Sequence, residues 1–169
     1  MPVTTVTKDP VALTMTVTAE FAATPERVWQ LWADPRQLER WWGPPSYPAT
    51  FIRLDLAPGG KAVYYMTGPD GQKTPHSSWN IVATDPPKSI VLRDQFADEA
   101  GTPDPDFPII GMHVAIDDIG GGMTRMSIHN EFPNAEALDK MLAMGMEEGM
   151  TQAVGQIDAM LAASAGVPA

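Results

Sequence analysis

The sequence contains no cysteine. Disulfides, zinc–thiolate centres and cysteine nucleophiles are therefore excluded, and the cytoplasm is the expected location. No run of 18 apolar residues occurs, so no membrane insertion is expected. Met1 to Pro10 lacks the basic patch and apolar stretch of a secretory signal. Basic side chains are scarce: 11 Lys and Arg stand against 21 Asp and Glu, for a net charge of −10. Such a chain is repelled by phosphate backbones, and it has no Lys/Arg cluster to release counterions. Nucleic acid is thus not an expected partner. Ser77-Ser78 beside His76 sits in no strand–elbow–helix context of the Gly-x-Ser-x-Gly kind, so that hydrolase chemistry is rejected. Gly120-Gly121-Gly122 is followed by neither Lys-Ser nor Lys-Thr and opens no helix, so it is not a phosphate loop.

What is present fits one domain. A chain of 169 residues buries roughly 70% of its unfolded surface without staples. Its 11 methionines suit either a cavity with adaptable walls or an ordinary core in which Met fills gaps. Residues 1–10 are read as a flexible arm, 11–162 as the domain, and 163–169 as a flexible tail.

From Val11 to Phe21, Leu13, Met15, Val17 and Ala19 alternate with threonines, which predicts a strand with one buried face. Thr24-Pro25-Glu26 starts a short helix, with Thr24 as cap and Pro25 at its first position. Asp34-Pro35 starts a second, stopped by Gly43-Pro44-Pro45. From residue 50 to 132, strand-like runs alternate with Pro/Gly turns, which favours an antiparallel meander. The last segment has no proline from Asn134 to Leu161, and Asn134 can cap it. There Leu142, Met146, Met150, Val154, Ile157 and Leu161 recur as one helical stripe. Gly145 and Gly149 lie beside that stripe and cost roughly 1 kcal/mol each relative to alanine. Close packing on the sheet or room left for a ligand would explain them. The expected class is α+β: a bent antiparallel sheet of about seven strands round a long C-terminal helix, with two short helices after the first strand.

Six segments carry a family resemblance. They are Thr24-Pro25-Glu26-Arg27-Val28-Trp29, Asp34-Pro35 leading to Arg40-Trp41-Trp42-Gly43-Pro44, and Asp55-Leu56-Ala57-Pro58-Gly59-Gly60. The others are Met66-Thr67-Gly68-Pro69-Asp70-Gly71, Gly121-Gly122-Met123-Thr124-Arg125-Met126 and Gly145-Met146-Glu147-Glu148-Gly149-Met150. In this order they resemble the START-like, or SRPBCC, superfamily with its helix-grip fold. Within it they are most similar to the family named for the C-terminal domain of the activator of heat-shock protein 90 ATPase. Met150 stands where similar members usually carry an aromatic residue, and Ala62 and Val63 where aromatic or basic residues are frequent. The cavity is therefore either wider than usual or repacked.

The resemblance implies a cavity between sheet and C-terminal helix, and strand parity suggests its walls. The residues expected to line it are Trp42, Tyr64, Met66, Trp79, Leu92, Asp94, Phe96, Met112, Met126, Asn130, Met146 and Met150. Apolar walls with few polar groups, here Tyr64, Asp94 and Asn130, describe a small-molecule site; a filled, hydrogen-bonded core is the alternative. An Asp94 facing such a cavity would titrate high and could serve as acid or base. The preferred, plainer reading places it near a strand end, meeting solvent or an arginine. Trp41 and Trp42 either seal the helices to the sheet or rim the cavity. His113 and His129 both face outward, and one hairpin register sets them opposite each other. No third ligand accompanies them, so no metal is expected, nor any cofactor.

Three functions compete. One is a carrier or sensor of a hydrophobic small molecule such as a lipid, polyketide or aromatic compound, with a homodimer as a possible assembly. Another is a cyclase- or dehydratase-like enzyme acting through Asp94, Tyr64 or Asn130. The last in rank is a co-chaperone of heat-shock protein 90, because the resemblance covers a single domain of such activators.

Overall fold

The computed structural model describes the backbone of residues 3–165 and the side chains of residues 5–163. It contains one antiparallel sheet of eight strands in the order β1-β2-β8-β7-β6-β5-β4-β3. The strands are β1 Val3–Asp9, β2 Thr14–Phe21, β3 Ala49–Leu54, β4 Lys61–Met66, β5 His76–Asp85, β6 Ser89–Ala97, β7 Ile110–Gly120 and β8 Met123–Glu131. Between β2 and β3 lie α1 Pro25–Ala33 and α2 Pro35–Trp41. The C-terminal segment comprises α3 Ala135–Ala143, α4 Met146–Val154 and α5 Ile157–Ala165.

The eighth strand corrects the expected arm at 1–10. Residues 3–9 pair with β2 as β1, after an irregularity between Val3 and Thr5. The β-branched run Thr5-Val6-Thr7 favours extended backbone, and Val6 packs against the core. Residues 1–2 of that arm, and 166–169 of the expected tail, lie outside the described residues; 163–165 complete α5.

The caps read from the sequence form. Thr24 Oγ accepts from the Arg27 amide at 3.2 Å, and Asp34 Oδ1 from the Arg36 amide at 3.0 Å. Asn134 Oδ1 accepts from the Ala137 amide at 2.8 Å and starts α3. Each satisfies a donor that has no partner inside its helix.

The C-terminal helix forms with two interruptions. Gly145 adopts φ +89°, a left-handed conformation that ends α3, and the chain turns again between Val154 and Ile157. A residue with a Cβ is strained at that φ, so glycine permits the break. The second turn is pinned by Gln156, whose Nε2 donates to the Gly43 carbonyl at 2.8 Å.

Bulges beside Ile52 in β3 and Val82 in β5 interrupt the ladders. They add local bend and twist to the sheet and leave those two side chains exposed. On the concave face Met15, Val17, Ile90, Leu92, Val114, Met126 and Ile128 are buried with Val154, Ile157 and Met160 of the C-terminal segment. The stripe residues Leu142, Met146 and Met150 are only half-buried. Something other than packed side chains lies beneath Met146 and Met150.

Candidate functional site

Beneath α4 lies a cavity of about 460 Å³. It occupies one end of the sheet, where β4 and β6 finish and β5 and β7 begin. The strands supply Tyr64, Met66, Ser77, Asp94, Gln95, Phe96 and Ile110. The helices supply Met141, Met146, Gly149, Met150 and Ala153. Loop residues Pro44, Tyr47, Phe107 and Pro108 close the mouth. A Cβ built on Gly149 would meet no atom within 4 Å. Close packing on the sheet is therefore not the reason for glycine there: its missing side chain leaves cavity.

The aromatic floor is continuous. Trp32 and Trp41 meet edge-on at 4.8 Å, Trp42 and Trp79 at 5.1 Å, and Phe51 stacks on Tyr64 at 4.8 Å between ring centroids. Such pairs add about 0.5–1.5 kcal/mol each beyond their buried area. Trp41 is fully buried and donates to the Leu31 carbonyl at 2.9 Å, so it is the seal. Trp42 reaches the cavity, so it is the rim.

The polar part of the wall is set by register. Tyr64 pairs with Ser77, and Trp79 with Asp94, across the ladders flanking β5. Tyr64 and Asp94 thus sit on the same face with one strand between them, and the long phenol spans it. Tyr64 Oη donates toward the carboxylate, 3.4 Å from Oδ2 and 3.5 Å from Oδ1. The indole nitrogens of Trp42 and Trp79 are buried without a hydrogen-bond partner, as is Ser78 Oγ.

Burial pushes the Asp94 carboxyl up to about 7, although the Tyr64 hydroxyl and the Gln95 backbone pull the other way. Desolvation wins because the charged form has lost its water and gained no cation. Burial first, and the neighbouring Asp94 charge second, hold the Tyr64 phenol well above its usual range, so it remains a donor. The preferred sequence reading of Asp94, in solvent or on an arginine, is overturned: the side chain is half-buried at the cavity wall and pairs with no cation.

The short helices α1 and α2, strands β3 to β8 and the whole cavity lining fall within residues 22–162, the span matched by the family described as activator of Hsp90 ATPase homolog 1-like protein. The chain belongs to that family. Comparison with curated proteins finds no match. A Mycobacterium smegmatis protein solved by crystallography is 47% identical, with 96% of this chain and 99% of that one covered at a TM-score of 0.86. An Arthrobacter aurescens protein solved by NMR is 46% identical over 94% and 91% of the two chains, TM-score 0.87. A Staphylococcus epidermidis protein, 22% identical over 95% of both chains with TM-score 0.80, shares the fold.

Of the residues expected to line the site, this activator-like chain brings together Trp42, Tyr64, Met66, Asp94, Phe96, Met146 and Met150. It does not bring Trp79, Leu92, Met112, Met126 or Asn130 to the cavity. Trp79, Leu92, Met112 and Met126 are buried further along the same faces, and Met126 Sδ accepts from Trp32 Nε1 at 3.3 Å. Asn130 is buried too, and its amide donates to the Met15 carbonyl at 3.1 Å. It is a structural bond inside the core, not a polar point of the site.

Reasoning from sequence missed Pro44, Tyr47, Phe107 and Pro108, which belong to no periodic segment. Ser77 could have been found, since it is two residues before Trp79 and so shares its face. His113 does pair opposite His129. His129 Nδ1 lies 2.7 Å from Thr16 Oγ and its Nε2 3.6 Å from Glu131. Among the described residues no group of three metal-ligating side chains gathers. No helix there is long and apolar enough to cross a membrane.

Proposed function

We propose that this protein binds a hydrophobic small molecule in the cavity between the sheet and α4. The observation that carries the reading is the volume of about 460 Å³ under Gly149, walled by methionine and aromatic side chains. Ligand pockets typically run from about 300 to 1,000 Å³, with apolar walls and few polar groups. Methionine walls adapt to the shape of what they enclose.

The test is binding of an uncharged environment-sensitive fluorophore, N-phenylnaphthylamine, to the wild type and to Gly149→Trp. Helical backbone at residue 149 accepts a side chain, and the indole would occupy the cavity. Saturable binding that Gly149→Trp abolishes, with unchanged circular dichroism, is the expected result. Absence of saturable binding to the wild type would end the proposal.

A second reading, proton transfer on the bound molecule, is favoured by one observation. The Tyr64–Asp94 pair borders the cavity, and Asp94 titrates near the pH at which an acid–base group is most effective. Conversion of a bound compound that stops in Asp94→Asn while binding persists would support it. Return of every bound compound unchanged would reject it.

A further inference from the structure

The cavity is one-sided in charge. Among the described residues its lining contains one carboxylate, Asp94, and no lysine, arginine or histidine. The neighbouring cations do not line it. Arg93 alternates with Asp94 along β6 and is exposed. Lys140 is exposed and sits 4.3 Å from the Phe107 ring centroid, with its Nζ 3.4 Å from the Asp106 carbonyl. Lys73 lies over Tyr65 at 4.7 Å, and the same ring meets His76 at 5.2 Å.

The groups that face Asp94 are neutral. Tyr64 comes from β4, Ser77 and Trp79 from β5 and Ile110 from β7, while Met150 and Ala153 of α4 close the far wall. The acids of α4 look away: Glu147 bridges to Lys8 at 2.6 Å, and both Glu147 and Glu148 border a separate outer groove. Asp94 is therefore a carboxylate on an apolar cavity wall, with one neutral donor at long range and no cation in contact among the described residues. A buried charge without a partner is costly, and a cation brought into contact with it removes that cost.

Two further features favour positive charge. The rings of Trp42, Tyr64, Phe96 and Phe107 border the same space, and ring faces attract cations. The chain's net charge of −10 draws cations and repels anions at encounter.

We infer that the ligand is an apolar molecule with a protonated amine head, seated with its nitrogen on Asp94 and its hydrocarbon among the methionines and rings. This rests on the ligand-binding reading above and specifies its head group. Fatty acids and other carboxylates are rejected, because they would place a second anion beside Asp94 with no cation between them.

The experiment compares three heads on one ring system, namely naphthylethylamine, naphthylethanol and naphthylacetate, titrated by intrinsic ligand fluorescence. At about pH 8 the amine is protonated and Asp94 mostly ionised, and the amine binds at least about tenfold tighter than the acetate, with the alcohol between them. At about pH 5 Asp94 carries a proton, and the amine loses most of its lead over the alcohol. In Asp94→Asn that lead is small at both pH values. Acetate binding as tightly as amine to the wild type overturns the inference, as does an amine preference that survives in Asp94→Asn. If none of the three binds while N-phenylnaphthylamine does, the head-group assignment fails and the ligand-binding reading stands. If the fluorophore also fails to bind, both fall.

Discussion

Tyr64 Oη stands 3.4 Å from Asp94 Oδ2, across a strand to which neither residue belongs. The bond is long for a phenol and a carboxylate, which ordinarily close to about 2.5–2.7 Å when the carboxylate is charged. The carboxylate is thus stabilised weakly from the protein side, and burial dominates its titration.

Stability should carry the signature of this residue. The folded carboxyl titrates at about 7, against about 3.9 in an unfolded chain. Below the unfolded value the proton is bound in both states, and the full contribution to stability is present. As pH rises the unfolded chain releases its proton first, so stability falls until the folded group has also ionised. Asp94→Asn removes this dependence and should be more stable than the wild type above neutrality by roughly 1–3 kcal/mol. Urea unfolding across the interval will show it as a gap that narrows toward acid pH.

Gly145, just before α4, and Gly149, inside it, should respond to alanine with opposite signs. At Gly149 the added methyl meets open space in helical backbone, and the gain should be about 1 kcal/mol. At Gly145, with φ +89°, it forces a left-handed residue with a Cβ, at a cost of roughly 1–2 kcal/mol. Thermal unfolding of the two single variants decides the matter.

Asn130→Ala should lower stability by about 1–2 kcal/mol, because it removes a buried side-chain donor to the Met15 carbonyl. Fluorophore affinity should change by less than about twofold, since Asn130 is not in the cavity lining and meets it only through Met150, with Nδ2 3.7 Å from Sδ. A large loss of affinity with intact stability would show that Asn130 serves the site after all.

Trp32→Ala should be the most damaging of these substitutions, at roughly 3–5 kcal/mol. Trp32 has no exposed surface, and its ring packs on Trp41, Trp42 and Trp79. Denaturant midpoints measured beside those of the wild type test the ranking.

How far the sequence could be read follows from what periodicity reports. Alternation gives the face of a strand, and it put Tyr64, Asp94 and Phe96 on the correct one. It does not give position along that face. Trp79, Leu92, Met112 and Met126 share the parity of the cavity residues but lie toward the other end of the sheet, where side chains fill the space. Caps were legible at Thr24, Asp34 and Asn134 because they depend on neighbours in sequence alone. The break at Gly145 was not, because propensity assigns a glycine a cost and says nothing about the sign of φ. The strand at Val3–Asp9 was hidden between two prolines, and its partner β2 follows only after a turn. The mouth residues Tyr47 and Phe107 lie on loops whose course is a tertiary outcome.

The breaks that isolate α4 have a practical consequence. Nine residues, Met146–Val154, form the cavity's roof as a cassette joined to its neighbours by a turn on each side. Met146, Gly149 and Met150 look into the same space from it and are only half-buried, while Val154 at its end is fully buried in the core with Ile157 and Met160 beyond the second turn. Exchanging Met146, Gly149 and Met150 changes the shape of the binding space while Val154 keeps its place in the core. Ligand preference and folding are written in different positions of one short helix, so a library confined to Met146, Gly149 and Met150 can redirect one while sparing the other.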